Sequence, residues 1–550
     1  MRYDHPAPFG MDFEPLWMPE LLFRTARRVP QAPCIDFMGR VFSYGEIAAM
    51  ARKAAAGFRA LGAGPGTTVG LFLPNCPHYV VSAFGVWLAG ARLANFSPLY
   101  TVDELASQVE DSEADIMVTL DVKALLPTID AVMATSRLKM LVVGNVAEVL
   151  PGTKALLYRL FKGKERAVVG RDTHHMLFAD LLGHGELPLP ATPPSPHEVA
   201  LLQYTGGTTG TPKGAMLTHA NLSINAQQVN IIDDDPAGPD RILGALPLFH
   251  IFAHTCVMNR TILRGGEMVL LPRFEVKAAL KAVERKKITA LPGVPTMYRA
   301  MLDHPDLKKH DLTSIRICIS GGAPMPQPLQ AAFSAVTGAK LVEGYGLTES
   351  SGVVCVNPYA TGGKPGSIGQ PLPGTQMRLL DKDDPTKPAA EGAPGELAVR
   401  GPQMMQGYWR RDNEGVFADG FVRTGDVAQV DGDGYYRIVD RLKDMVNVGG
   451  FKVFPSHLEA VLYSHPDVRE AIVIAVPDTY LGERPKAFVT LHTGATAGGD
   501  ELLAFLNSKV GKHEKAVAVE VRDSLPKTMI GKLSRKELAA EAAAKAAESA

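Results

Sequence analysis

The chain has 550 residues, 46% hydrophobic and 21% charged, with a formal net charge of −1. That length predicts two or more domains, and the balanced charge leaves no electrostatic footprint for nucleic acid. The five cysteines (Cys34, Cys76, Cys256, Cys318, Cys355) are scattered and include no C-x-x-C pair, which argues against a disulfide framework or zinc site and for a reducing compartment.

The opening MRYDHPAPFG carries an acid and prolines where a signal peptide needs an apolar run. The most apolar helix candidate, YVVSAFGVWLAGA at 79–91, is shorter than the ~20 residues of a membrane span. A cytoplasmic protein is expected, with peripheral contact at the inner face of a membrane left open. Ser43 and Glu46 form a predicted capping box, after which Ile47, Met50, Ala54, Phe58 and Leu61 share a helical face that Gly62 and GPG at 64–66 terminate. TTVGLFLP reads as a buried strand and 79–91 as the next helix. Thr101 and Glu104 open another capped helix before the strand ADIMVTL. This alternation predicts an α/β architecture of layered, largely parallel sheets.

In 151–166, Leu156, Leu157, Leu160 and Phe161 form a stripe surrounded by Lys154, Arg159, Lys162, Lys164 and Arg166. Two readings stand: a helix packed on its own domain, and a basic amphipathic helix at a membrane interface. Next comes YTGGTTGTPKG at 204–214, glycines and threonines around Lys213. Convergent backbone N–H groups, hydroxyls and one ammonium suit phosphate. The spacing is not that of the P-loop, since Gly214 follows Lys213 where that motif has Ser or Thr.

Four further runs, GEMVLLP, ITALPGVP, SIRICIS and AKLVEGYG, fit the same strand scheme. YGLTES at 345–350 follows the last of them and sets an aromatic ring, a hydroxyl and a carboxylate at a strand end, where open α/β sheets bind ligands. Tyr345 could stack on a base, and Glu349 could hold Mg²⁺. TGD at 424–426 puts Asp426 after a short strand, suited to ribose hydroxyls. GDGYYRIVDRLKDMVNVGG reads as a hairpin followed by charges and glycines. A compact βα pattern of α+β character then ends in an Ala-rich helix. The boundary is placed at 440–444, with a large domain over 1–440 and a small one over 441–550.

With YTGGTTGTPKG, GGAPMP, EGYGLTES, RTGD, DRLKDMV and PKTMIGKL in order, the chain resembles the adenylate-forming superfamily. This superfamily comprises acyl-CoA synthetases, firefly-type luciferases and peptide-synthetase adenylation domains. The resemblance covers about residues 20 to 540. ALPLFHIFA, VNPY, GSIG and GYW make it most similar to the bacterial long-chain fatty acid–CoA ligases.

The resemblance implies a large layered α/β domain, a mobile small domain, and ATP, coenzyme A and Mg²⁺ as reactants and cofactor. Thr205, Gly206, Gly207, Thr208, Thr209, Gly210 and Lys213 would close over the β- and γ-phosphates. Gly322 and Ala323, with Glu343, Gly344, Tyr345 and Gly346, would border the nucleotide, and Gly321, Gly322, Ala323 and His250 the acyl group. For His250 a satisfied core histidine remains the other reading. Thr348 would touch the α-phosphate, Glu349 would ligate magnesium, and Asp426 would hold the ribose beside Arg441. Lys443 would be the hinge, Lys532 would bridge the carboxylate and the α-phosphate, and Gly449, Gly450, Phe451 and Lys452 would line a coenzyme A channel.

Two departures from the family pattern are Ala516, near where a proline is usual, and Gly206, where many relatives carry serine. The expected activity is ATP-dependent activation of a medium- or long-chain fatty acid to acyl-AMP, then transfer to coenzyme A, by a monomer or homodimer. The rivals are a dicarboxylate or other carboxylic acid ligase and a lipid-uptake protein with a vestigial site. A peptide-synthetase module is disfavoured, since no carrier domain follows residue 540.

Overall fold

The computed structural model describes residues 2–548 apart from 171, 206–211, 234, 236–237, 383, 450 and 529–530. Strands β1 (Pro33–Phe37) and β2 (Arg40–Ser43) form a hairpin whose turn passes through Met38 and Gly39, at φ +52° and +101°. Ser43 then caps the helix Tyr44–Ala60 with the expected box. Its hydroxyl accepts the Glu46 N–H, and the Glu46 carboxylate accepts the Ser43 N–H at 2.7 Å. The second box, Thr101 with Glu104, opens the helix Val102–Ser112 in the same way.

Among the described residues the strands form five sheets. Strands β3 (Thr68–Leu71), β4 (Arg92–Asn95), β5 (Ala114–Leu120), β6 (Met140–Gly144), β7 (His175–Leu177), β8 (Val199–Thr205) and β9 (Lys213–Thr218) lie in the order β7-β6-β5-β3-β4-β8-β9. They are parallel except for the final β8–β9 hairpin, which sets Thr205 opposite Lys213. The helix Pro77–Ala89 is buried along its whole length beneath this sheet, which explains its unbroken apolar run.

Strands β10 (Arg241–Gly244) and β11 (Glu267–Leu270) join the N-terminal hairpin in the order β10-β11-β1-β2. Strands β12 (Ile317–Ser320) and β13 (Lys340–Tyr345) run parallel and continue through the short antiparallel strands β14 (Cys355–Val356) and β15 (Gln370–Pro371). ITALPGVP is not a strand. It makes only isolated bridges at Ala290 and Gly293, because Pro292 has no N–H for a ladder and Pro295 starts the helix Pro295–Leu302.

The remaining sheets overturn the expectation of largely parallel pairing. Strands β16 (Gln376–Leu380), β17 (Gly395–Arg400), β18 (Phe417–Ala418), β19 (Phe421–Val430) and β20 (Tyr436–Arg441) are all antiparallel. Asp426 therefore lies inside a ten-residue strand, opposite Arg441, and not after a short one. A smaller domain follows. Strands β21 (Val446–Val448), β22 (Phe451–Val453), β23 (Val468–Asp478), β24 (Gly482–Leu491) and β25 (Val519–Val521) pack with the helices Pro455–Tyr463 and Gly499–Lys509 around a separate core that includes Val446, Leu458, Val473 and Leu502. The large domain's core contains members from Leu16 to Tyr436. The protein is thus a mixed α/β molecule with one large and one small domain.

At Ala516 the chain is held by Asn507, whose side chain accepts its N–H at 2.9 Å and donates to its carbonyl at 3.1 Å. All five cysteines are free and buried. Burial raises every one of their thiols, those of Cys76 and Cys256 to about 12. Among the described residues, no helix is long and apolar enough to cross a membrane.

Candidate active site

Three strand ends converge. Beyond β12 the chain passes through Gly321, Gly322 and Ala323. Gly322 has a φ of +80°, which favours glycine, and a Cβ on it would sit 2.4 Å from Cε of Lys532, so the end of that side chain lies directly over this residue. A Cβ on Gly321 would lie 3.3 Å from the Phe252 ring. Strand β13 brings Glu343, Gly344 and Tyr345, then Gly346, whose missing Cβ leaves room for the Gly352 carbonyl.

The Tyr345 hydroxyl donates to Oδ2 of Asp426 at 2.5 Å, and Nε of Arg441 reaches Oδ1 at 2.9 Å. The ring is thereby tethered at its hydroxyl. The Glu343 side chain is buried, with one oxygen accepting the Met325 N–H at 3.3 Å. Burial raises this carboxyl to about 8, so it is neutral at pH 7.

A second group gathers at the β8–β9 hairpin. Nζ of Lys213 lies 5.2 Å from the centre of the Tyr408 ring, and the Tyr408 hydroxyl donates to Oε1 of Glu349 at 2.6 Å. Thr348 and Glu349 open a one-turn helix, Thr348–Ser350, pinned by the Met405 N–H to the Glu349 carbonyl at 2.7 Å. Tyr408 reaches the site because residues 406–409 bond alongside β9, with Met216 N–H to Gly407 O at 2.9 Å and Trp409 N–H to Gly214 O at 2.8 Å. Thr205 sits at the hairpin base, its hydroxyl 3.4 Å from the Lys213 carbonyl. Gly206, Gly207, Thr208, Thr209 and Gly210 lie outside the described residues, as does Gly450.

The small domain supplies Lys532. The Thr528 N–H donates to the Lys532 carbonyl at 2.6 Å, and the Thr296 hydroxyl of the large domain donates to the Gly531 carbonyl at 3.0 Å. Arg469 and Asp303 pair across the same contact at 3.3 Å. Burial and the neighbouring Arg441 lower the Lys532 ammonium to about 8, against the pull of Asp426. Burial, with Lys532 beside it, lowers the His250 imidazole to about 3, so it is neutral, and its Nδ1 accepts the Phe252 N–H at 3.4 Å. Lys443, in the turn after β20, is also lowered, by burial and Arg441, while Asp444, Asp426 and Glu349 oppose the shift.

The candidate coenzyme A residues keep different company. Gly449, at φ +57°, donates its N–H to Leu481 at 2.8 Å, while Phe451 is 62% exposed with its ring 5.2 Å from His513. Lys452 is exposed beside it on β22. The structure therefore brings Lys532, Gly322, Tyr345, Asp426, Arg441, Lys443 and His250 together and leaves Gly449, Phe451 and Lys452 on the small domain's surface. Sequence reasoning gave no role to Tyr408 or Thr296. The GYW tripeptide was a signal for Tyr408, whereas Thr296 had none.

Residues 22–409 match the model of the AMP-binding enzymes and residues 457–532 that of the AMP-binding enzyme C-terminal domain. The chain belongs to the AMP-binding enzyme family. Among its relatives, the long-chain-fatty-acid–CoA ligase of Bacillus subtilis (strain 168) is 38% identical, covering 98% of this chain and 97% of the relative. That of Escherichia coli O157:H7 is 35% identical over 96% and 94%, and a feruloyl-CoA synthase of Amycolatopsis sp is 36% identical over 94% and 97%. Of solved structures, ATP-bound MatB from Rhodopseudomonas palustris matches with a TM-score of 0.81 at 29% identity, over 94% of this chain and 98% of that one. The anthranilate CoA ligase AuaEII, in complex with anthranoyl-AMP, matches with a TM-score of 0.85 at 25% identity, over 98% and 99%.

Proposed function

We propose that the protein is an ATP-dependent fatty acid–CoA ligase working through an acyl-AMP intermediate. The observation that carries the reading is Lys532, delivered by the small domain against Gly322 and beside Asp426 and Arg441. A vestigial binding fold needs no such lysine. The substrate carboxylate attacks the α-phosphorus of ATP, the bond to the pyrophosphate leaving group breaks, and Lys532 offsets charge on the carboxylate and α-phosphate. Asp426 takes the ribose hydroxyls and Tyr345 borders the base. Thr348 meets the α-phosphate. Lys213 faces the outer phosphates with 205–210.

Glu349 would hold Mg²⁺. A single half-buried carboxylate suits an ion that takes most of its ligands from phosphate and water, and no cluster of three metal-binding side chains exists among the described residues. The ion, when bound, neutralises phosphate charge. In the second step the coenzyme A thiol displaces AMP. For that step the small domain, bounded at 440/441, rotates about Lys443 and turns 449–452 toward the pantetheine.

The acyl chain is placed along β12, from Gly321 past Ile319 and Ile317, beneath neutral His250. A dicarboxylate would need a cation there. The buried Arg260, which with Cys256, Ile317 and Ile319 lines a small cavity, is already paired with Asp233 at 2.5 Å and Asp240 at 2.8 Å. Burying an unpaired ω-carboxylate costs several kcal/mol, so monocarboxylic acids of medium to long chain are preferred. On this reading the protein works in the cytoplasm. The test is pyrophosphate release and thioester formation across acids of varied length, terminal charge and aromaticity. A higher kcat/KM for pimelate or ferulate than for decanoate and palmitate overturns the substrate assignment.

A further inference from the structure

The helix Gly152–Phe161 is turned inside out for a protein in water. Its inward residues are Ala155 and Tyr158, packed against the large domain's core, and no residue of the helix is buried. Leu156, Leu157, Leu160 and Phe161 are 59%, 52%, 65% and 75% exposed. At 3.6 residues per turn these four centre almost opposite Ala155 and Tyr158, with Lys154 and Arg159 on the two flanks. The helix packs on its domain through Ala155 and Tyr158 alone, and its leucine stripe faces out, the reverse of the usual amphipathic pattern.

Charge is arranged to match. Between 152 and 166 five basic residues stand against one acid, in a chain whose total is −1. Lys162 pairs with Glu165 and Arg166 with the buried Asp121 at 3.1 Å, while Arg159 and Lys164 are exposed on the flank. Beside the helix stands the β1–β2 turn, tied to it by Nζ of Lys154 on the Met38 carbonyl at 2.7 Å. The turn exposes Met38 and Val41 as well. An open groove of about 630 Å³ between the two elements is lined by Arg40 and Arg159 and by one acid, Glu148, whose carbonyl accepts from the Arg40 guanidinium.

We infer that this helix and the β1–β2 turn form one lipid-docking face that seats the protein on an anionic membrane surface, the leucines and Phe161 entering the headgroup–acyl boundary while the basic flank meets lipid phosphates. An acyl substrate dissolved in the bilayer would then be taken up where it resides; this consequence rests on the ligase reading, whereas the docking face does not.

The test is co-sedimentation of the full chain, without ATP or acid, with vesicles of phosphatidylcholine alone and of phosphatidylcholine with 30% phosphatidylglycerol. Binding is expected to the anionic vesicles only and to fall steeply between low and high salt. Leu160→Ser/Phe161→Ser is expected to weaken it more than ~10-fold by removing inserted apolar area. Arg159→Ser/Lys164→Ser is expected to weaken it roughly 25-fold, about 5-fold per charge. Phe161→Trp should bind like the parent and shift its emission to the blue on anionic vesicles. Equal binding to both vesicle types, or none to either, overturns the proposal. So does self-association of the parent chain that Leu160→Ser/Phe161→Ser abolishes while vesicle binding persists, since the face would then belong to a second copy. Because no reaction is measured, failure here leaves the ligase reading intact, and a failed acid screen leaves the docking face intact.

Discussion

Lys532 is protonated over only part of the pH range in which the enzyme can be assayed. Its ordinary value of 10.5 is lowered to about 8 by burial and Arg441. In the free enzyme the ammonium is therefore present below about pH 8 and lost above it. Since kcat/KM reports the free enzyme, kcat/KM for ATP in acyl-adenylate formation should be level to about pH 8. It should then fall about tenfold per pH unit. Lys532→Ala should slow that half-reaction by about 10²–10³-fold, the scale of one transition-state charge contact. The variant should still convert supplied acyl-AMP and coenzyme A to thioester. Lys532→Arg should remove the alkaline fall, because guanidinium does not titrate there. A parent profile flat to pH 9.5 would contradict the placement of this lysine.

At the scale of elements, Tyr408 ties β9 to the short helix Thr348–Ser350. Tyr408→Phe keeps the ring under Lys213 and deletes the 2.6 Å hydrogen bond to Glu349. The freed carboxylate should lose its orientation. We expect about a tenfold loss in kcat/KM, the worth of one hydrogen bond to a charged group, together with a raised Mg²⁺ requirement. An unchanged Mg²⁺ dependence would reduce Tyr408 to packing. The turn after β20 carries the other prediction. Lys443→Pro restricts the φ a hinge must change, so it should release pyrophosphate in one turnover and then accumulate acyl-AMP. Single-turnover assays of both half-reactions check this, and equal damage to both would remove the alternating-domain scheme.

The two capping boxes were readable from sequence because their chemistry spans three residues. The glycine-bearing motifs were readable because a positive φ, as at Gly322, or a close backbone approach, as at Gly346, disfavours every other residue. The Tyr408–Glu349 bond was not, since 59 residues separate partners that only the folding of 406–409 onto β9 brings together. Asp426 was misplaced because Thr-Gly-Asp interrupts the alternation that would have marked β19 as one long strand. The outward face of the helix Gly152–Phe161 was equally illegible. Periodicity reveals that a stripe exists but not which way it points.

Over the whole molecule, three buried histidines and the half-buried His250 are held as neutral rings. Burial lowers His78 to about 4 and His219, His250 and His254 to about 3, from 6.5. An unfolded chain takes up protons at these positions as pH falls through 6.5, and the folded chain does not until pH 3–4. Stability is therefore fully present above pH 6.5 and is lost below it, at up to about 1.4 kcal/mol per pH unit for each ring. Glu343, raised to about 8, works in the opposite sense between about 8 and 4.5 and offsets roughly one of the four. The large domain's urea midpoint should accordingly drop between pH 7 and pH 5. A midpoint that holds or rises would refute the linkage.

The five interior cysteines, with thiols raised to about 12 or beyond by burial, bear on the chemistry from a distance. An acyl-adenylate is an electrophile, and a thiolate is the strongest nucleophile a protein can set against it. Here no ionised sulfur of the chain's own competes for the acyl group. The chain's sulfurs are thus protected from acylation while the enzyme holds the mixed anhydride and waits for coenzyme A. The same seclusion makes native protein inert to iodoacetamide, so carbamidomethylation of these sulfurs becomes a direct count of molecules that have opened.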